Sequence, residues 1–304
     1  ITIFQKKNSF FAILCCGFSA AFLFSKEAAF MEFIYKYPRT RHIKGSHIQK
    51  GDENLKCVDF EAIKGTYAVL EEKVDGANAG ISFDKAGNLL LQSRGHFLTG
   101  GYQQRQFDLL KVWANCYKEQ LYDILSDRYI LYGEWLYAKH TIFYDNLTNY
   151  FMEFDIFDKQ KKRFLSTQKR RVLLKDHSFI TSVRVLYEGK LYSLEHMLSY
   201  LGRSAFQSEH CCENLKKHCH KLNLSFEMVQ KQTDMSKDME GIYIKIEGKS
   251  QPEEYVLDRL KYVRKSFINT ILDSQSHWMN RPLIPNLLKE GIDMFSFDTG
   301  GEKG

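Results

Sequence analysis

The sequence predicts an α+β fold built on antiparallel sheets. Short stretches of alternating apolar and polar residues come in runs joined by tight turns, and helical periods fall in separate blocks between them. A doubly wound fold would instead interleave each strand with a helix. No internal repeat or low-complexity tract interrupts the pattern.

From Met31 onward each element has its own reason. Residues 35–55 are basic and punctuated by Pro38, Gly45 and Gly51, which predicts an extended arm or loop. Arg39, Arg41 and Lys44 form a small positive cluster there, better explained by solvation than by a phosphate contact. Residues 66–72 alternate as a strand that ends at the Asp75-Gly76 turn. Alternation resumes over 81–83, and a turn at 85–88 leads into the strand 89–93, giving a hairpin. Phe107, Leu110, Ala114, Tyr117, Leu121 and Leu125 recur at helical spacing and predict one amphipathic, core-packing helix over 103–125. Further strands are expected over 128–136, 150–157, 241–246 and 255–263, with helices over 167–175 and 194–201.

Composition narrows the class. At 304 residues the chain can bury a core without disulfide staples, and 44% hydrophobic with 26% charged residues excludes a disordered or fibrous polymer. A balance of 43 basic to 37 acidic residues gives +6, which tolerates an anionic partner without demanding one. Aromatic residues at 14% supply ring surface for stacking on bases or for packing. The seven cysteines show no secreted-scaffold spacing, so reduced thiols in an intracellular, cytoplasmic protein are expected. Lys6 and Lys7 precede the apolar run 10–24, which is shorter than the ~20 residues of a spanning helix. Residues 1–30 therefore suggest a targeting segment or a gene-model extension upstream of Met31, with a membrane anchor as the alternative. Residues 31–304 are expected to form a single domain with a short C-terminal extension.

The most informative segment is 71–78, EEKVDGAN. A lysine at a strand end before a tight turn aims its amine into the space the turn opens. As a nucleophile it must be deprotonated, and half-deprotonating an ordinary lysine at pH 7 costs ~4.6 kcal/mol, which nearby cations or a metal can supply. Alone, Lys-x-Asp-Gly is weak, at roughly 0.07 chance matches in a chain this long. Five further segments follow in order: Ser93-Arg94-Gly95, Tyr132-Gly133-Glu134, Glu153-Phe154-Asp155-Ile156, Glu240-Gly241-Ile242-Tyr243-Ile244-Lys245 and Arg259-Leu260-Lys261.

Together these resemble the motifs of the covalent nucleotidyltransferases, the superfamily of ATP-dependent ligases and capping enzymes, and most closely the nick-sealing RNA ligases of the phage RNA ligase 2 type. The resemblance runs from about residue 37 to 267. It implies an antiparallel-sheet nucleotidyltransferase (ATP-grasp-like ligase) domain in which Lys73 forms a phosphoramide with AMP. It further implies that Arg94 contacts the nucleotide, Glu134 takes the ribose hydroxyls, Phe154 stacks on adenine and Lys245 meets the α-phosphate. Arg259 and Lys261 form the final motif, Glu240 lies near the metal, and Glu72 and Asn78 join the nucleotide site. The cofactors implied are ATP and Mg2+, with Mn2+ as a substitute. The partner implied is RNA bearing 5′-phosphate and 3′-hydroxyl ends, prepared by an end-healing kinase or phosphatase and sealed by a monomer.

Strand alternation adds a constraint. Ile242, Ile244 and Ile246 share the core face, so Glu240 must lie at the strand's entry, re-aimed by Gly241, to join Tyr243 and Lys245. Two departures stand out. Arg259 occupies a position where relatives usually carry lysine, which keeps charge and changes donor geometry. Only thirty-seven residues follow Phe267, too few for an appended oligonucleotide-binding barrel, which makes capping a poor fit. Trp278, Arg281 and Pro282 in that tail either brace the domain or touch substrate. The cluster His210-Cys211-Cys212 and His218-Cys219-His220 invites zinc but lacks paired Cys-x-x-Cys spacing, so a solvated helix is expected. The rival readings are a DNA ligase or capping-type nucleotidyltransferase, and a catalytically idle RNA-binding relative, which would have no use for Lys73, Glu134, Glu240 and Lys245 together.

Overall fold

A computed structural model describes residues 33–48, 51–267 and 282–296. In chain order its elements are β1 (Arg41–His42), β2 (Tyr67–Lys73), β3 (Ala77–Phe83), β4 (Leu89–Ser93), α1 (Asp108–Cys116), α2 (Lys118–Leu125), β5 (Tyr129–Trp135), β6 (Phe151–Asp158), β7 (Arg163–Phe164), α3 (Thr167–Leu174), β8 (Thr181–Ser182), β9 (Val185–Lys190), α4 (Leu194–Leu198), α5 (Cys211–Lys221), α6 (Phe226–Lys231), β10 (Gly241–Gly248) and β11 (Asp258–Val263). The apolar run 10–24, Met31, Trp278 and Arg281 lie outside the described residues. No described helix is long and apolar enough to cross a membrane.

Two sheets form, as the α+β expectation requires, and the described strands close no barrel. The first runs β1-β11-β10-β2-β9 and the second β4-β3-β5-β6-β7, with β8 beside β6. All pairings are antiparallel except the short β1–β11 and β6–β8 contacts. Register decides which side chains share a face, because directly paired residues point the same way. Glu71, Tyr243 and Lys261 form one row, and Val69, Lys245 and Arg259 the next. Lys73 ends the same face of β2. The opposite face carries Leu70, Ile244 and Leu260, buried in a cluster with Phe60 and Met197. The second sheet packs Ile81, Phe83, Leu131 and Ile156 with Leu110, Trp113 and Leu121 of the helices α1 and α2.

The expected helix over 103–125 is corrected to a 3-10 turn at Tyr102–Phe107 followed by two helices that break at Tyr117. Tyr117 stacks on Phe179 with ring centroids 4.4 Å apart, and its hydroxyl donates to the carbonyls of Met294 and Ser296. These long-range contacts outweigh continuation of the helix. The strand expected over 255–263 begins only at Asp258, and β9 was invisible to alternation, since Gly189 interrupts it. The basic arm is held to the fold by ion pairs, and its three cations stay exposed to solvent as expected. Arg39 pairs with Asp52, Arg41 with Asp258 and Lys44 with Asp59, so all three cations of its cluster are matched within the fold. In α5 the residues Cys211, Leu215 and Cys219 form the buried stripe, and Lys216, Lys217 and Lys221 face solvent. Among the described residues no group of three or more His, Cys, Asp or Glu side chains could hold a metal ion. The described part of the tail braces the domain through backbone bridges of Pro285 to Ala138 and Leu288 to Leu147.

Candidate active site

A cavity of about 310 Å³ opens between the two sheets where β2 turns into β3. Lysine, aspartate and glycine of the 73–76 turn each have a separate structural reason. Lys73 is the last residue of β2, its side chain is 20% exposed, and its Nζ donates to Glu240 at 2.7 Å. Asp75 accepts from the backbone amides of Thr141 and Ile142 at 2.7 and 2.9 Å, and its own amide donates to the Tyr144 hydroxyl at 2.8 Å. That carboxylate anchors the 139–144 loop and does not face the cavity alone. Gly76 is obligatory because a Cβ there would lie 2.7 Å from both Leu136 Cδ2 and the Trp135 carbonyl. Val74 is buried among apolar neighbours.

Three elements of the second sheet face Lys73. Glu134 on β5 sits opposite Asn78 on β3, and its Oε1 accepts from the Gly76 amide at 3.2 Å. Asn78 Oδ1 is buried with no hydrogen-bond partner in the protein, an acceptor left for a ligand. Arg94, just past β4, and the ring of Phe154 on β6 complete that wall. From the first sheet come Glu240, Tyr243 and Lys261. Glu240 immediately precedes β10, at the strand entry that alternation demanded. Glu72 borders the cavity, with its carboxylate accepting from the Ser204 hydroxyl at 2.5 Å.

Lys245 and Arg259 do not line this cavity; they lie behind its wall. Lys245 is fully buried, 2.9 Å from Glu71 and 3.1 Å from Asp155, and it donates to the Phe154 carbonyl. Arg259 pairs with Asp155 at 3.2 Å and lays its guanidinium 3.5 Å from the Phe164 ring centroid, a stacking contact that lysine cannot reproduce. Arg170 of α3 bridges Glu71 and Glu153 beneath the same floor.

Sequence reasoning missed Tyr37, Thr40 and Asp52 of the arm, which reach the site because β1 adds to the edge of the first sheet. Tyr37 donates to Asp155 at 2.5 Å and packs edge-on against Phe154, and Asp52 grips Lys261 at 2.5 Å. It gave no role to the buried ions Glu71 and Asp155, although both stand in the quoted segments, and it missed Arg170. Asp155 belongs to the quoted 153–156 segment, whereas Arg170 carries no sequence signal.

The electrostatics centre on Lys73. Burial alone would push its amine down, but Glu240, Glu134 and Asp75 outweigh that and hold it above the ordinary lysine value. Burial pushes Glu134 up to about 7, with Glu240 and Asp75 adding to the rise and Lys73 opposing it. Burial likewise raises Glu240 and Glu72. Lys261 is lowered by burial and by the Lys73 charge, against the pull of Asp52. An all-oxygen donor set of two carboxylates beside an amine suits a hard divalent cation that takes its other ligands from water and phosphate. Tyr37, Val183 and Tyr243 line the cavity with Phe154, and an aromatic face of this kind suits a flat ring.

No curated protein matches the chain by sequence. Among solved structures, it is similar to Naegleria gruberi RNA ligase with PPi, at 19% identity and a TM-score of 0.45, over 80% of this chain and 64% of that one. A mutant of the same ligase with ATP and Mn gives 16% and 0.42, over 70% and 54%. An archaeal ATP-dependent RNA ligase gives 17% and 0.40, over 76% and 48%. The chain thus spans between 48% and 64% of the length of these solved relatives. The RNA ligase family model matches residues 66–263, from the first residue before β2 to the last residue of β11 and nearly two thirds of the sequence, and the chain belongs to that family.

Proposed function

We propose that this protein is an ATP-dependent RNA ligase that joins 5′-phosphate to 3′-hydroxyl ends through lysyl-AMP and AMP-capped RNA. One observation carries the reading: the Lys73 amine lies in the cavity between the sheets, 2.7 Å from Glu240 and facing Glu134, with unpartnered Asn78 Oδ1 and the Phe154 ring on the opposite wall.

In the first step the Lys73 nitrogen attacks the α-phosphorus of ATP, the bond to the β-phosphate oxygen breaks, and pyrophosphate leaves. The Lys73 proton, held by Glu240 at 2.7 Å, must depart first, and it passes to water once the charge of that carboxylate is neutralised. Lys261 and Arg94 offset the negative charge that builds on the phosphoryl oxygens. Glu134 and Asn78 offer acceptors to ribose and base, and Phe154 offers a stacking face. A divalent cation, Mg2+ or Mn2+, held by Glu240 and Glu134, would supply positive charge that weakens the carboxylates' grip on the Lys73 proton. In the second step a 5′-phosphate oxygen of RNA takes AMP from Lys73. In the third a 3′-hydroxyl displaces AMP, forming the phosphodiester. Lys245 supports the site from below the floor, through Glu71 and the Phe154 carbonyl. The chemistry calls for a kinase or phosphatase to prepare ends of this type.

The test is incubation of the purified protein with α-labelled ATP and Mg2+ beside Lys73→Ala, followed by nicked RNA and DNA duplexes bearing 5′-phosphates. Label on the wild type alone, and sealing of RNA before DNA, is the expected result. Labelling by GTP in place of ATP, or no label on either protein, would sink the proposal.

A further inference from the structure

We propose that Tyr144 is a positioning residue for the nucleophile turn and that Asn286, in the tail segment, sets it; this rests on the lysyl-AMP reading above. Both side chains are fully buried and neither lines the cavity. The Tyr144 hydroxyl accepts the Asp75 amide at 2.8 Å, two residues from Lys73. Leu136 packs against the other side of the same turn, close enough that only glycine fits at position 76. Asn286 grips both supports. Its Oδ1 accepts from the Tyr144 amide at 2.9 Å and its Nδ2 donates to the Leu136 carbonyl at 2.7 Å. Its own amide donates to the Tyr137 carbonyl at 2.7 Å, and its carbonyl accepts from the Tyr150 hydroxyl at 2.8 Å. All four polar groups of one buried side chain and its backbone are thus spent on the 136–150 stretch.

The consequence is specific to one step. Lys73 must meet the α-phosphorus at bonding approach, and a misplacement of ~1 Å can cost about 100-fold in rate. Without the Tyr144 hydroxyl the Asp75 amide loses its acceptor, and the turn that aims Lys73 loses one of its supports. Sealing of RNA that already carries AMP on its 5′-end does not use Lys73 as a nucleophile, so it is spared.

The experiment measures single-turnover adenylate capture, KM for ATP, and sealing of pre-adenylated nicked RNA. It compares wild type, Tyr144→Phe, Asn286→Ala and the double variant. Tyr144→Phe keeps the ring and the fold, which a thermal melt checks. The expected result is capture slowed by about 10- to 100-fold, KM within about twofold and pre-adenylated sealing near wild type, with the double variant no worse than the slower single. Wild-type capture by Tyr144→Phe would overturn the proposal, as would equal losses in capture and pre-adenylated sealing. Wild-type protein that never acquires adenylate would overturn the ligase reading itself, a distinct outcome.

Discussion

Glu134→Gln exchanges a buried carboxylate for a neutral group of nearly the same shape, and it should stabilise the protein while disabling it. Burial and the neighbouring Glu240 lift Glu134 from the ordinary glutamate range to about 7, a value that already includes the attraction of Lys73. A rise of that size corresponds to ~3 kcal/mol of unfavourable ionisation, and partial solvent access to the cavity reduces it to ~2 kcal/mol. The sign follows from linkage. A raised folded pKa contributes stability that is complete below the unfolded value and is lost as pH climbs through about 7. Glutamine keeps an acceptor for the Gly76 amide and has nothing to ionise. In thermal melts without divalent cations, wild type and variant should coincide near pH 4.5. By pH 8 the variant should lead by roughly 4–8 °C, at ~2–4 °C per kcal/mol for a chain of this size. A gap that does not change with pH, or a wild type that melts higher at pH 8, would refute the placement of Glu134 as a desolvated carboxylate.

Further consequences are equally concrete. Gly76→Ala forces a methyl to within 2.7 Å of Leu136 and the Trp135 carbonyl, so it should cost ~1–3 kcal/mol in a denaturant titration and slow adenylate capture. Lys245→Met strips the cation from between Glu71 and Asp155 and should destabilise by ~3–5 kcal/mol; a raised KM for ATP with an unchanged melt would instead make Lys245 a direct phosphate contact. Because Glu240 and Glu134 keep Lys73 protonated, capture at limiting Mg2+ should climb close to tenfold per pH unit from about pH 6 to about pH 8, and a flat profile would contradict the pairing. Chelation of divalent cations should abolish the adduct in an intact-mass measurement.

The strands that carry the site were legible because their signals are local. Alternation located β2, β5, β6 and β10, and with the site role that the resemblance implies for Glu240, the spacing within 240–245 required it to stand at a strand entry, where it is found. Contacts over long sequence distances were not legible. Tyr117 ends a helix because of Phe179 and the tail at 294–296, residues that no window around position 117 contains. The ion pairs of the exposed basic arm were not legible because its counter-ion partners, Asp52, Asp59 and Asp258, are separated from the cations by a bend or by most of the chain. Arg170 illustrates the limit most sharply. It follows a lysine in a polar helix, yet the register of β2 and β6 turns it into the bridge between Glu71 and Glu153. Lys245 and Arg259 lay on the predicted face, but alternation cannot tell the cavity surface from the layer just behind it.

On the lysyl-AMP mechanism proposed above, the geometry around Lys73 would also account for how one amine is both safe and reactive. Five carboxylates border the cavity, from Glu71, Glu72, Asp75, Glu134 and Glu240, against three cations, Lys73, Arg94 and Lys261. Glu71 is matched by Lys245 and Arg170, Glu72 by the Ser204 hydroxyl and Asp75 by two amides, each through bonds internal to the fold. That leaves Glu240 and Glu134 as the carboxylates that act most strongly on Lys73, with Asp75 adding less. Their charge keeps the amine protonated, and a protonated amine cannot attack phosphorus or stray electrophiles. The same two carboxylates are the oxygen donors that suit a divalent cation, so positive charge brought to them with a nucleotide cancels the attraction while the desolvation of Lys73 persists. Desolvation is the largest influence that lowers the Lys73 pKa, with the neighbouring Lys261 charge acting in the same direction, and the two prevail only when the carboxylates are occupied. On that mechanism, coupling nucleophile activation to arrival of the substrate would need no moving part, only an amine buried next to the groups proposed to bind its activator.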